Sequence, residues 1–247
     1  MTFFKPDTRP ATGSKYLKII SGIPSVIQIM DEKPIAVMKH WFTDGSGRRI
    51  GIRCPGPEVC PVCIRNRQIN FNRDHPDFIS PQKRYRVNVL ELTPVKRCGE
   101  CGAVYSATAA PQHCSADGCG TDLSEVVKEP LKEVKILERG PSLMDQFAAL
   151  EKIDHPFTGK QEALQSYPIM LVATGKGKNM VITAIPQVPS DEDIDAYEKL
   201  DLNTGLILTS EEIQFLLEGG VYKDIVAARR AETETKGVEE TSKEIPF

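Results

Sequence analysis

The 247-residue chain has no apolar run approaching the roughly 20 residues that a membrane-spanning helix needs. Met1-Thr2-Phe3-Phe4-Lys5-Pro6 lacks the apolar core of a secretory signal, so a soluble intracellular protein is expected. No internal repeat is visible. Catalytic signatures are missing as well. Thr174-Gly175-Lys176-Gly177-Lys178 is not a phosphate-binding G-x-x-x-x-G-K-[ST] loop. His40-Trp41-Phe42 lacks the glutamate of a nucleobase deaminase, and Val59 stands where that signature places proline before its cysteine pair. No Ser/His/Asp set and no carboxylate cluster stands out, which disfavours a hydrolase or a metal-dependent nuclease. A non-enzymatic function is expected.

What is present is a charge asymmetry and seven cysteines. The net charge of −3 divides unevenly: residues 186–247 hold fifteen Asp/Glu against six Lys/Arg, leaving twenty-five Lys/Arg against nineteen Asp/Glu in 1–185. A basic body with an acidic end suggests a polyanion-binding domain and a tail that competes for the same surface. In an intracellular protein the cysteines are expected to be metal ligands rather than disulfides.

Cys98-x2-Cys101-x12-Cys114-x4-Cys119, with Gly99, Gly102, Gly118 and Gly120 at the turns, has the spacing of a four-cysteine zinc ribbon. Cys54-x5-Cys60-x2-Cys63 leaves tetrahedral zinc one ligand short. His40, at the end of a strand beside the insertion, is the preferred fourth ligand, with His75 in competition; His113 reads as a solvated neighbour. The expected cofactor is Zn2+, two ions per chain in structural sites.

Between polar, Pro- and Gly-bearing residues 1–15, read as a flexible arm, and the acidic end, short β-type runs dominate. Strands are expected over 16–20, 26–30, 35–42, 84–92 and 131–137, and a hairpin over 167–173 and 180–185 whose tip carries Lys176 and Lys178. Leu143, Phe147 and Leu150 mark an amphipathic helix opened by Pro141-Ser142, and Thr209-Ser210-Glu211-Glu212 marks another helix start. This pattern fits a mainly β fold with some α: a Greek-key barrel of the OB type over 16–186, with metal-binding insertions at about 43–80 and 94–130. An acidic helical segment is expected over 187–230, followed by a disordered acidic tail over 231–247, which has too little apolar surface to order itself.

The order His40…Cys54…Cys60-x2-Cys63 inside a basic β-rich domain, ahead of an acidic tail, resembles the phage helix-destabilising proteins of the T-even type. The stretch from Lys132 to Leu143 is also similar to phage single-stranded-DNA-binding proteins. That resemblance implies a zinc-bearing OB-fold that coats single-stranded DNA cooperatively in replication, recombination and repair. It also implies self-association on DNA and residence in the cytoplasm of an infected bacterial host. The four-cysteine ribbon departs from the best-known member of that family and resembles instead the ribbon in the large subunit of eukaryotic replication protein A. The ending Glu244-Ile245-Pro246-Phe247 resembles the tail of bacterial single-stranded-DNA-binding proteins, which implies docking of replication or recombination enzymes.

Single-strand binding needs cations for phosphates and aromatic faces for unstacked bases. The candidates are Lys39 and Trp41 on alternate positions of one strand, Arg48, Arg49 and Arg53 after it, and Arg65, Arg67 and Arg73 after the first cysteine cluster. Arg84 and Arg86 on one face of a strand and Lys176 and Lys178 on the late hairpin complete the set. Trp41, the one tryptophan, reads either as a stacking platform or as a core residue. The alternative function is a zinc-ribbon viral transcription or assembly factor acting through protein contacts.

Overall fold

The computed structural model describes residues 14–107, 110–116, 118–175 and 177–231. The strands are β1 (Ser25–Ile29), β2 (Ile35–Thr43), β3 (Arg49–Arg53), β4 (Pro81–Glu91), β5 (Pro94–Arg97), β6 (Val104–Ser106), β7 (Glu129–Pro130), β8 (Glu133–Arg139), β9 (Ile169–Thr174) and β10 (Val181–Pro186). The helices are α1 (Pro61–Gln68), α2 (Pro141–Leu150), α3 (Ser210–Leu217) and a further run, α4, over 222–231. The fold is mainly β with short helices, and no helix among the described residues is long and apolar enough to cross a membrane.

The chain forms two compact units and passes between them within β2, within β4 and after Thr204. Of the described residues, the first unit holds 14–36 and those within Arg84–Thr204. Its antiparallel strands run β10-β9-β1-β4, with β8 on β4. Alternation along these strands buries Ile27, Ile29, Val87, Val89, Leu137, Ile169 and Leu171. Leu143 and Phe147 of α2, four residues apart on one helical face, close the same core. Pro141 starts α2 at a position where its missing N–H costs nothing. The ribbon also belongs to this unit, as a three-stranded sheet in the order β6-β5-β7 around Tyr105 and Leu123.

Of the described residues, the second unit holds Val37–Lys83 and 205–231. Its β2–β3 hairpin, α1, α3 and α4 bury Ile50, Ile52, Val62, Leu208, Ile213, Leu216 and Ile225. A capping box opens α3: the Thr209 hydroxyl accepts from the Glu212 N–H, and the Glu212 carboxylate accepts from the Thr209 N–H.

Three expectations change. Residues 16–20 form only isolated bridges, Tyr16 to Ile136 and Ile20 to Ile23, although Leu17 and Ile19 are buried. Hydrophobic alternation there reports burial against one neighbour rather than a ladder. The stretch 187–209 is mostly irregular, with one short turn at Ile194–Ala196, and regular helix begins at Ser210. The segment after Gly205 packs with the first cysteine cluster's unit instead of forming a separate acidic piece.

Candidate metal centres and nucleic-acid face

His40, Cys54, Cys60 and Cys63 converge, as do Cys98, Cys101, Cys114 and Cys119, each set with its ligand atoms within 4.8 Å of one another. In the first group His40 is on β2, fully buried, and Cys54 follows β3, with its N–H bonded to the Met38 carbonyl at 2.8 Å. Cys60 is the N-cap of α1 and Cys63 lies in its first turn, where the positive end of the helix favours thiolate. Cys63 Sγ is 3.4 Å from His40 Nε2 and 3.6 Å from Cys54 Sγ. His75 is outside this group; its Nδ1 accepts from the Asp77 N–H at 3.2 Å.

In the ribbon, Cys98 and Cys119 sulfurs are 3.6 Å apart and those of Cys101 and Cys114 are 3.5 Å apart. Cys98 with Cys101 and Cys114 with Cys119 each sit on a turn closed by a backbone bond, Gly102 N–H to Cys98 O at 2.9 Å and Cys119 N–H to Ala116 O at 3.0 Å. Gly102 takes φ 71°, a conformation that a side chain would strain. Two supporting groups carry no sequence signal: the Tyr105 hydroxyl is 3.2 Å from Cys114 Sγ, and Thr121 Oγ1 is 3.0 Å from Cys119 Sγ. Their roles depend on which side chains the ribbon folds against its sulfurs.

Both groups fit a tetrahedral cation. Zinc–sulfur bonds of about 2.3 Å place sulfurs about 3.8 Å apart, whereas a disulfide needs about 2.05 Å. The thiols also obstruct one another's ionisation. Cys54 is lowered by the hydrogen it accepts from Cys60, while Cys60, donating that hydrogen and buried, is pushed up to about 12. Burial raises Cys63. In the ribbon the Cys101 N–H holds Cys98 down, and the Tyr105 hydroxyl lowers Cys114. Although the Ala103 N–H pulls Cys101 down, the hydrogens it shares with the other thiols leave it raised. Three or four sulfurs at this spacing ionise together only beside a positive charge, which a divalent cation supplies. Both groups could therefore hold a metal ion.

His40 alternates along β2 with the candidate nucleic-acid residues. Register pairs Lys39 with Arg53, Trp41 with Gly51 and Thr43 with Arg49. Directly opposed residues share a face, so Lys39, Trp41, Arg49 and Arg53 lie on one side of the hairpin. His40, Phe42, Ile50 and Ile52 lie on the other, toward the cysteines and the core. The Trp41 indole lies flat on Gly51, where an added Cβ would come within 2.8 Å of the ring. The Arg49 guanidinium stands over that ring at 5.7 Å. Gly51 went unrecognised in the sequence, although Arg49-x-Gly51-x-Arg53 has the period of a strand face. Arg48 is exposed in the turn before β3.

The remaining cations scatter. Arg65 pairs with Asp77 at 2.6 Å and Arg67 with Glu58 at 3.0 Å, while Arg73 is exposed in the loop after α1. Arg84 is half-buried on β4 beside Gly140. Arg86 is a correction. It is only 3% exposed, bonded to Glu138 at 2.8 Å and to the Leu202 and Thr204 carbonyls at 2.8 and 2.7 Å. Asn88 on the same face bonds Leu200 in both directions. The polar face of β4 is thus covered by residues 200–204, which alternation along β4 alone does not reveal, and Arg86 is not available to a phosphate. Lys176, the Lys178 side chain and Glu244, Ile245, Pro246 and Phe247 lie outside the described residues. No protein-family model and no curated protein matches this chain.

Proposed function

We propose that this protein binds single-stranded DNA, in the manner of the phage helix-destabilising proteins, and that both cysteine centres hold structural zinc. The hairpin face carries the proposal. Lys39, Arg49 and Arg53 surround a tryptophan laid flat on a glycine, combining phosphate-tracking cations with a ring for unstacked bases. Structural zinc behind the strand, through His40 and Cys54, would fix the two strand ends that carry this face. In the first unit, five antiparallel strands with a single helix ahead of the last two support the OB reading.

One observation favours protein contact for the ribbon itself. Residues 94–130 hold three Lys/Arg against five Asp/Glu. Lys96 is committed to the Leu123 and Ser124 carbonyls and Arg97 to Glu129. This charge balance supports a protein partner for the ribbon rather than DNA.

Equilibrium titration of single- and double-stranded oligonucleotides at two salt concentrations tests the reading. Tighter single-strand binding that strengthens with length and weakens with salt is expected. Weak, length-independent binding to both forms would favour the alternative, a zinc-ribbon transcription or assembly factor.

A further inference from the structure

Phe71 follows α1 in a backbone conformation that bulky residues avoid. Asn70 and Phe71 have φ of 51° and 54°, both left-handed. Asparagine tolerates this region; an aromatic residue there is an outlier. Burial does not compensate, because Phe71 remains 53% exposed.

The turn is held from below. Asn70 N–H donates to Arg67 O at 2.9 Å and Phe71 N–H to Asn66 O at 2.7 Å. Asn66 is buried, and its side-chain amide donates to Ile79 O at 2.8 Å and accepts from Ile79 N–H at 3.2 Å. A buried asparagine therefore ties the turn to the Ile79 backbone and leaves the Phe71 ring at the surface. Strain retained by an over-determined scaffold at an exposed side chain points to a use. A ring positioned in advance also loses little freedom on binding.

The surroundings identify the ligand. Asn70, Asn72, Arg73 and Asp74, the ring's chain neighbours, are all exposed and polar. A protein pocket would call for apolar chain neighbours beside the ring, whereas a ring flanked in the chain by polar groups and a cation suits a base and its phosphate.

We propose that Phe71 is a second stacking platform for unpaired bases, separate from Trp41, with Arg73 contacting the adjoining phosphate. This rests on the single-strand reading above. The test is titration of labelled oligothymidine with wild type, Phe71→Gly, Phe71→Leu, Arg73→Ala and Trp41→Ala, together with thermal melts. Glycine is at ease at this φ, so Phe71→Gly should melt no lower than wild type while its Kd rises between about fivefold and about a hundredfold, the range of one lost base stack. Phe71→Leu should weaken binding likewise, since it keeps apolar bulk and removes the π-face. Arg73→Ala should make the salt dependence shallower by about 0.7 in log–log slope. Wild-type affinity in Phe71→Gly or Phe71→Leu, with Trp41→Ala weakened, would overturn this inference alone. A wild-type protein with no preference for single strands would overturn the reading beneath it as well.

Discussion

Arg49 and Arg86 both sit on antiparallel strands with polar residues at alternate positions, yet their environments are opposite. Arg49 is exposed over the Trp41 ring, whereas Arg86 is enclosed with Glu138 and two carbonyls. Their substitutions should separate accordingly. Arg86→Ala leaves Glu138 without its buried partner and should cost on the order of 3–5 kcal/mol of stability, read by urea denaturation. Its single-strand affinity should stay near wild type while it is folded. Arg49→Ala with Arg53→Ala should leave the fold intact and reduce the log–log salt slope by about 1.4, two phosphate contacts at about 0.7 each. Trp41→Ala should weaken binding by about 1–3 kcal/mol without altering that slope, because stacking releases no counterions. An unchanged affinity in Trp41→Ala, or a changed slope, would remove the ring from the binding face.

Among the elements, two side chains take over work that backbone ladders cannot do. Strand β10 ends the first unit's sheet, and such an edge invites pairing with another chain. Gln146 of α2 covers it, donating to Ile182 O and accepting from Ala184 N–H, both at 2.9 Å, as a neighbouring strand would. Gln146→Leu should cost on the order of 1–3 kcal/mol and open the edge, so sedimentation should show concentration-dependent association. Asp44 does comparable work at the β2–β3 turn: its carboxylate accepts from Ser46 N–H and Oγ, Arg48 N–H and Tyr222 N–H, tying the hairpin to the start of α4. The Ser46 hydroxyl, then the backbone donors, hold Asp44 below its ordinary value of 3.8 against the opposing effect of burial. A carboxylate depressed in the folded state contributes stability above its unfolded value and loses that contribution as pH falls through the folded one. Stability should therefore decline on acidification below about pH 4. Asp44→Asn should be less stable at neutral pH, with a smaller further loss in acid, as measured by denaturation at pH 7 and pH 3.

Two properties belong to the whole chain. Elemental analysis of purified protein should return about two zinc ions per chain, one per four-ligand site. Cys98→Ser should lose one and His40→Ala the other, while His75→Ala should retain both; a single zinc that survives Cys98→Ser would exclude the ribbon site. On the proposed reading the acidic end competes with DNA for the hairpin face through its charge. Residues 231–247 carry five glutamates against Lys236 and Lys243. A tethered polyanion is present at high effective concentration, so removing 231–247 should raise single-strand affinity, more at low salt than at high. Deleting Phe247 alone should leave DNA affinity unchanged and weaken capture of a replication or recombination partner. Equal affinity in the truncated and full-length proteins would exclude competition.

The cysteine spacings by themselves specified one four-cysteine group and one three-cysteine group short of a ligand, because close pairs such as Cys60–Cys63 and Cys98–Cys101 converge on a tight turn. Alternation likewise specified most strands, since a residue's face on a strand is set locally by the pleat. The choice of His40 over His75 was left to the tertiary structure, as it depended on where β2 lies relative to α1. The same holds for Arg86, whose face of β4 is polar in sequence but covered by residues more than a hundred positions away. Gly51 under Trp41 depends likewise on the register in which β2 and β3 pair, and the anchoring of the Phe71 turn on the Ile79 backbone that the Asn66 side chain meets.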